Sequence, residues 1–238
     1  MTTTGEGIQG EGALEAGGTT PRFEPAGLQH AHRLLGPRVA YLIGSIRLDG
    51  TSHLCSATNV TSVGNSPEIV AVALCPEWET AENLRREGEM TINLMDSLYV
   101  DQIWIAGSRY SGVEVAPSDD KFIVAGLHKK MSATVRPAAV LEALAVLECR
   151  TVRIVEDLSD HTVFFAEVIA ACYRSTYFTE EGQLDVVQAH PAMQLSGDRF
   201  AHAVPAGSPD TRRCNQIVKD NRSGREGGPA APESSTVI

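Results

Sequence analysis

Between Arg38 and Met95 the sequence runs RVAYLIGSIRLDGTSHLCSATNVTSVGNSPEIVAVALCPEWETAENLRREGEMTINLM, four short apolar runs broken by turn residues and by a single helical segment. Asp49-Gly50 between the first two runs is a hairpin signal, because Gly enters the left-handed backbone region without steric cost. HLCSATNVTSV reads as the return strand, and Asn65-Ser66-Pro67 ends it. EIVAVALC is almost continuously apolar, which predicts a strand with both faces buried. TAENLRREG then reads as a helix with Thr80 as its N-cap and Gly88 as its stop. EMTINLM supplies a fourth strand.

Upstream, GLQHAHRLLG predicts a short helix ended by Gly36 and Pro37. Downstream, SLYVDQIWIAG and DDKFIVAGL predict two more, each ended by Gly. The two longest β signals come last: ALAVLECRTVRIVED and HTVFFAEVIAACYR alternate well and are separated by a turn at Leu158-Ser159-Asp160. Together these predict a mainly β fold, a predominantly antiparallel barrel with a few helices packed outside it. Residues 1–24 and 206–238 are polar, bury too little apolar surface to offset ordering entropy, and are expected to be disordered tails around one domain over 25–205.

The formal net charge of -10 over 238 residues argues against nucleic acid and anionic membrane as partners, since both require clustered positive charge. A small molecule is the expected partner. No apolar run approaches the roughly 20 residues that span a bilayer, and the N-terminus has neither the basic nor the apolar part of a signal peptide, so a soluble, cytoplasmic protein is expected. The five cysteines show no CxxC or His-paired spacing, and no metal site is signalled. Glu148 with Glu167 and Asp119 with Asp120 are candidate acid/base couples, read more simply as strand-edge charges or helix caps. GxSxG, P-loop and HExxH patterns do not occur.

Five ordered blocks over residues 37–201 carry a resemblance. They are the Asp-Gly turn with the small polar strand and Pro-anchored apolar strand after it; TAENLRREGEMTINL; Ser111-Gly112 with DKF at 120–122 and AGL at 125–127; LEC at 147–149 with DHTVFFAEV from Asp160; and HPAMQLSGDRFA. In these the chain resembles the flavoredoxin branch of the flavin reductase-like, FMN-binding split-barrel family. The resemblance implies a split Greek-key β-barrel and a homodimer with FMN at each end of its interface. It further implies that Ser56, Ala57, Thr58, Asn59, Val60 and Thr61 line the flavin, although an ordinary half-exposed strand is the alternative reading of those residues. Thr80 and Asn83 match the family's phosphate region, at a helix N-terminus whose unpaired N–H groups favour an anion. Glu77, Glu79 and Glu82 oppose that role unless Arg85, Arg86 or a partner subunit compensates them.

Asp160 and His161 match the family's Gly-Asp-His motif, associated with nicotinamide binding, with Ser159 in place of the Gly. They are candidate catalytic residues, against the alternative of a turn Asp and a strand-initiating His. His128, where relatives often carry Thr, is a candidate proton donor or else a solvated loop residue. The function this implies is an FMN-dependent oxidoreductase: an NAD(P)H:flavin reductase supplying reduced flavin to a partner monooxygenase, with NADH or NADPH as co-substrate. The alternatives are a flavoenzyme acting directly on an organic substrate and a non-catalytic flavin-binding module.

Overall fold

The computed structural model describes residues 24–226, with side chains to 222. The expected N-terminal tail, apart from Glu24, and the end of the expected C-terminal tail from 227 lie outside the described residues. The chain divides into two compact units, Met1–Gly36 and Pro37–Ile238. In the first, Leu28–Leu35 forms a 3-10 helix that buries none of its residues.

The second unit opens with β1 (Arg38–Val39), β2 (Tyr41–Ile46), β3 (Ser52–Ala57), β4 (Val60–Asn65) and β5 (Glu68–Leu74). Helix α1 (Glu79–Glu87) and β6 (Glu89–Leu94) follow. A 3-10 turn, Ser97–Tyr99, leads into α2 (Val100–Ala106), α3 (Ser108–Ser111) and α4 (Lys121–Val124). Then come β7 (Lys129–Lys130), β8 (Ala139–Val140), the long pair β9 (Ala145–Val155) and β10 (Thr162–Tyr173), β11 (Ala192–Ser196), β12 (Arg199–His202) and α5 (Thr211–Glu226).

The expected return strand HLCSATNVTSV is in fact two strands, β3 and β4, broken at Thr58-Asn59. Among the described residues the main sheet has the order β3-β2-β6-β9-β10-β5-β4, antiparallel throughout, so these two sequence neighbours are its opposite edges. Laid flat, seven strands would set the edges about 29 Å apart at about 4.8 Å per step. Three residue steps from Ala57 to Val60 span at most about 11 Å. The sheet therefore curls into a barrel whose seam lies between β3 and β4.

Local signals set the ends of these elements. At the β2–β3 turn Asp49 Oδ1 accepts from Thr51 N at 2.9 Å and from Thr51 Oγ1 at 2.7 Å, and Gly50 has φ +81°. Gly88 ends α1 at φ +68° and donates its N–H to Leu84 O.

Side chains alternate between two cores. Ile43, Cys55, Met90, Ile92, Cys149, Phe164, Val72 and Leu74 fill the barrel, and Ala81 and Leu84 of α1 pack among them. Leu42, Leu54 and Val146 point the other way, under Ile103 and Ala106 of α2, Phe122 of α4, and Val140. Burying such side chains is the main stabilising term, at about 1.5–3 kcal/mol each. The period of two is what makes one sheet serve both cores.

Glu148 differs from expectation. It is 3% exposed, and its carboxylate accepts from Ala133 N, Thr134 N, Thr134 Oγ1 and Val135 N, so it anchors the segment before β8 rather than marking an edge. Asp120 is a helix cap as expected, accepting from Phe122 N at the start of α4. Within the expected C-terminal tail the structure has helix α5, whose described side chains are all exposed.

Candidate functional site

A cleft opens where the β2–β3 hairpin, the N-terminus of α1, the α2–α3 corner and residues 113–121 meet. It contains about 620 Å³ of space not filled by protein, part of it open to solvent. Its polar wall is formed by Arg47, His53, Ser56, Glu79, Thr80, Ser108, Arg109 and Lys121. Three cationic side chains thus face one carboxylate, a balance that favours an anion.

Thr80 is not the N-cap. Trp78 holds that position, with no side-chain cap, and Thr80 is the second helical residue. Thr80 is 1% exposed, and among the described residues its Oγ1 has no hydrogen-bond partner. The group beside it is the Cys55 thiol, a weak donor that burial pushes above its ordinary pKa. A buried hydroxyl without a partner costs roughly 1–3 kcal/mol. An uncapped helix start and an unused hydroxyl in one cleft wall fit a ligand oxygen.

The acidic entry to α1 is neutralised differently from the expectation. Glu77 and Glu82 are exposed, and of the three carboxylates only Glu79 lines the cleft. Its counter-charge is Arg47, whose Nε lies 2.6 Å from Glu79 Oε1 and whose Nη2 lies 3.3 Å from Oε2. Arg85 is engaged with Glu156, Pro76 O and Thr162, and Arg86 with Ile46 O, Asn83 and Glu87. Arg47 also donates to Pro117 O at 3.0 Å and Asp119 O at 3.2 Å, tying the segment that roofs the cleft to the hairpin.

His53 stands 3.1 Å from Arg47 through Nδ1 and is 3% exposed. Burial lowers its pKa to about 4; Lys121 and Arg47 act in the same direction, Glu79 and Asp120 against it, so the ring is neutral at pH 7. Lys121 donates to Ala106 O at 2.8 Å, and burial lowers its pKa too. Gly107 at the α2–α3 corner has no room for a side chain, since a Cβ there would sit 2.4 Å from Ser56 Oγ.

Of the residues expected to bind cofactor, the structure brings Ser56 and Thr80 together in this cleft. Ala57 is buried in the barrel core, Thr58 and Asn59 form the seam link, and Val60 packs against that core. Asn59 Oδ1 accepts from Arg38 Nη1 at 2.5 Å, and Thr61 is exposed on the edge strand. Asn83 is committed internally: Nδ2 donates to Ser45 Oγ at 3.0 Å and Oδ1 accepts from Arg86 at 2.9 Å.

The three expected catalytic residues are not in the cleft wall. His128 pairs with Glu142 Oε1 at 2.6 Å through Nδ1 and its side chain is largely exposed. His161 Nδ1 lies 2.8 Å from Asp160 Oδ1 and Nε2 lies 3.7 Å from Cys75 Sγ, which places this pair beside the connection from β5 to α1. Sequence reasoning missed Arg47, His53 and Arg109, and used Lys121 only as a family marker. The available signal was the i, i+2 spacing of His53 and Cys55, which puts an imidazole on the inward face of β3.

The protein is thus a seam-split antiparallel barrel with a cleft of net positive charge at a helix N-terminus. Residues 35–185 match the model of the flavin reductase like domain, and the chain belongs to that family. It is 31% identical over 147 residues to an uncharacterized protein of Pyrococcus abyssi, covering 62% of this chain and 80% of that one. It is 30% identical over 125 residues to the reductase component of the 4-nitrophenol 4-monooxygenase/4-nitrocatechol 2-monooxygenase of Rhodococcus opacus, covering 52% and 60%. Its fold is similar to that of nitrilotriacetate monooxygenase component B from Bacillus cereus, with TM-score 0.67 at 18% identity over 81% of this chain and 100% of that one. The split-barrel assignment made from sequence is thereby shown. Among the described residues no helix is long and apolar enough to cross a membrane.

Proposed function

We propose that the protein is a flavin-dependent oxidoreductase, most simply an NAD(P)H:flavin reductase whose reduced flavin serves a partner oxygenase. The observation that carries this is the start of α1, which no side chain caps: Thr80 there, its buried hydroxyl bonded only weakly by the Cys55 thiol, lines one cleft with Arg109 and Lys121. These groups would hold the phosphate of FMN, the flavin inferred here over FAD. Ser56, on the strand that leads into the seam, would face the flavin across the same cleft. When bound, the isoalloxazine supplies the hydride acceptor at N5. The chain's own part is to bind and orient the flavin at the cleft.

Asp160 and His161 lie beside the β5–α1 connection and would meet the nicotinamide; Asp160 Oδ1, 2.8 Å from His161 Nδ1, orients the ring. The reductase-component relative in Rhodococcus opacus supports a partner oxygenase. A second copy of the chain is the proposed structural partner, and the half-exposed Val63, Val152 and Ile154 on β4 and β9 supply apolar surface for it.

The test is to record the visible spectrum of the purified protein and follow NADH and NADPH oxidation with and without added FMN or FAD. Nucleotide oxidation that requires flavin is expected. A yellow protein bleached by neither nucleotide would replace this reading with a flavoenzyme acting directly on an organic substrate. A protein that binds no flavin would end both.

A further inference from the structure

His53 has two ring nitrogens with different surroundings. Nδ1 lies 3.1 Å from Arg47 Nη2 and 3.4 Å from Glu79 Oε2. A guanidinium is always protonated and only donates. The nearer neighbour therefore needs a lone pair on Nδ1, and the ring, neutral at pH 7, must carry its one hydrogen on Nε2. Arg47 is itself immobilised by Glu79, Pro117 O and Asp119 O, so the tautomer is fixed by a group that cannot turn away. Nε2 makes no hydrogen bond among the described residues, although His53 is 3% exposed and lines the cleft with Thr80 and Lys121.

We propose that His53 is a specificity-determining donor: its Nε2–H, set by Arg47, bonds a phosphate oxygen of the bound flavin and lets the site distinguish FMN from riboflavin. This rests on the flavin reading above. The other charged groups around the ring are Lys121, Asp120 and Glu79, with Arg109 farther along the same wall. A neutral donor adds a directional bond without taking up a proton. Phosphate recognition through His53 therefore does not decline as pH rises through the ordinary histidine range. A charged imidazolium in its place would lose the charge-assisted part of that bond above about pH 6.5. It also adds no further cation to a wall that already carries three, so the site keeps its preference without becoming a general anion sink.

The test combines binding with a direct reading of the ring. FMN and riboflavin are titrated by flavin fluorescence into the wild type, His53→Gln and His53→Leu. In parallel, imidazole nitrogen shifts are recorded on the nitrogen-15-labelled wild type at pH 7, before and after adding FMN. The expected result is that His53→Leu lowers the FMN-to-riboflavin affinity ratio about tenfold, while His53→Gln, which keeps an N–H toward the cleft, stays within about threefold. The ring should show a protonated Nε2 and an unprotonated Nδ1, with the Nε2 resonance moving on FMN binding. An unchanged ratio in a folded His53→Leu protein overturns the proposal and leaves the flavin reading intact. So does a ring protonated at Nδ1, which decides the matter even where the Leu variant does not fold. A wild type that binds neither flavin overturns both.

Discussion

Thr80→Val separates a ligand-binding role from a structural one, because the two predict opposite signs. The substitution keeps the β-branched shape at the second position of α1 and removes only the hydroxyl. That hydroxyl belongs to a residue 1% exposed, and among the described residues the weak donor Cys55 is the one group beside it. Its desolvation costs roughly 1–3 kcal/mol, less a fraction recovered from the Cys55 thiol beside it. The variant is thus expected to be more stable by about 1 kcal/mol, a rise of about 2–4 °C in Tm for a chain of this size. A hydrogen bond to a phosphate is worth about 1.5–3 kcal/mol, so FMN should bind roughly 10- to 100-fold more weakly. Thermal melts without ligand and fluorescence titration with FMN read the two effects separately. A variant that melts lower and binds FMN as well as the wild type would show that the hydroxyl is a packing group and that the phosphate lies elsewhere.

Arg47→Met leaves Glu79 without its counter-charge and releases residues 113–119. Amide exchange in that segment should quicken, and adding Glu79→Gln should recover part of the lost FMN affinity by about 1 kcal/mol, a modest figure because Glu79 is partly exposed; strictly additive effects would contradict the pairing. Gly44→Ala puts a Cβ 2.3 Å from Thr91 Oγ1 and 2.8 Å from Ala138 O, and should cost about 3 kcal/mol in urea unfolding, with little recovery from Thr91→Ala because one clash is with backbone. Glu148→Gln leaves one donor unmatched and should cost about 2–4 kcal/mol at pH 7. Burial alone would raise the Glu148 pKa, but bonds from Ala133, Thr134 and Val135 outweigh it and hold it low. Its contribution is therefore present above the unfolded carboxyl's pKa and lost as pH falls through the folded value, so wild type and variant should converge in acid. His53 adds a second acid-sensitive window. Its pKa falls from 6.5 to about 4 on folding, so stability present above pH 6.5 is lost toward pH 4, by at most about 3 kcal/mol. Acid titrations of unfolding should show a shallower loss there in His53→Gln.

The features legible in the sequence were those written locally. Asp49-Gly50, Asn65-Ser66-Pro67, Gly88 and Gly126 punctuate the chain where their backbone demands it, and the elements end there. The break at Thr58-Asn59 is only weakly written: Asn59 disfavours a strand, but no Gly or Pro accompanies it and strand-forming residues stand on both sides. Thr80, expected as a cap, is instead the second residue of α1, and lines the cleft from there. Arg47, His53 and Lys121 converge from a hairpin and a distant short helix. No window of sequence contains that meeting. Asn83 shows the converse: it matches the family's phosphate pattern, yet its amide is consumed by Ser45 and Arg86.

The strand order carries a consequence for how the molecule comes into being. β9 and β10 lie between β6 and β5, so the strands of the main sheet that precede residue 145 can form only two separate pieces of it, β3-β2-β6 and β5-β4. Neither can close the barrel core around Ile43, Val72 and Ile92 until the late hairpin inserts between them. Pairing strands so far apart in sequence is slow, since loop closure precedes any gain from contact. On the ribosome, the chain must therefore remain open until Tyr173 has emerged, and fragments ending before Ala145 should bind a hydrophobic dye where the full chain does not.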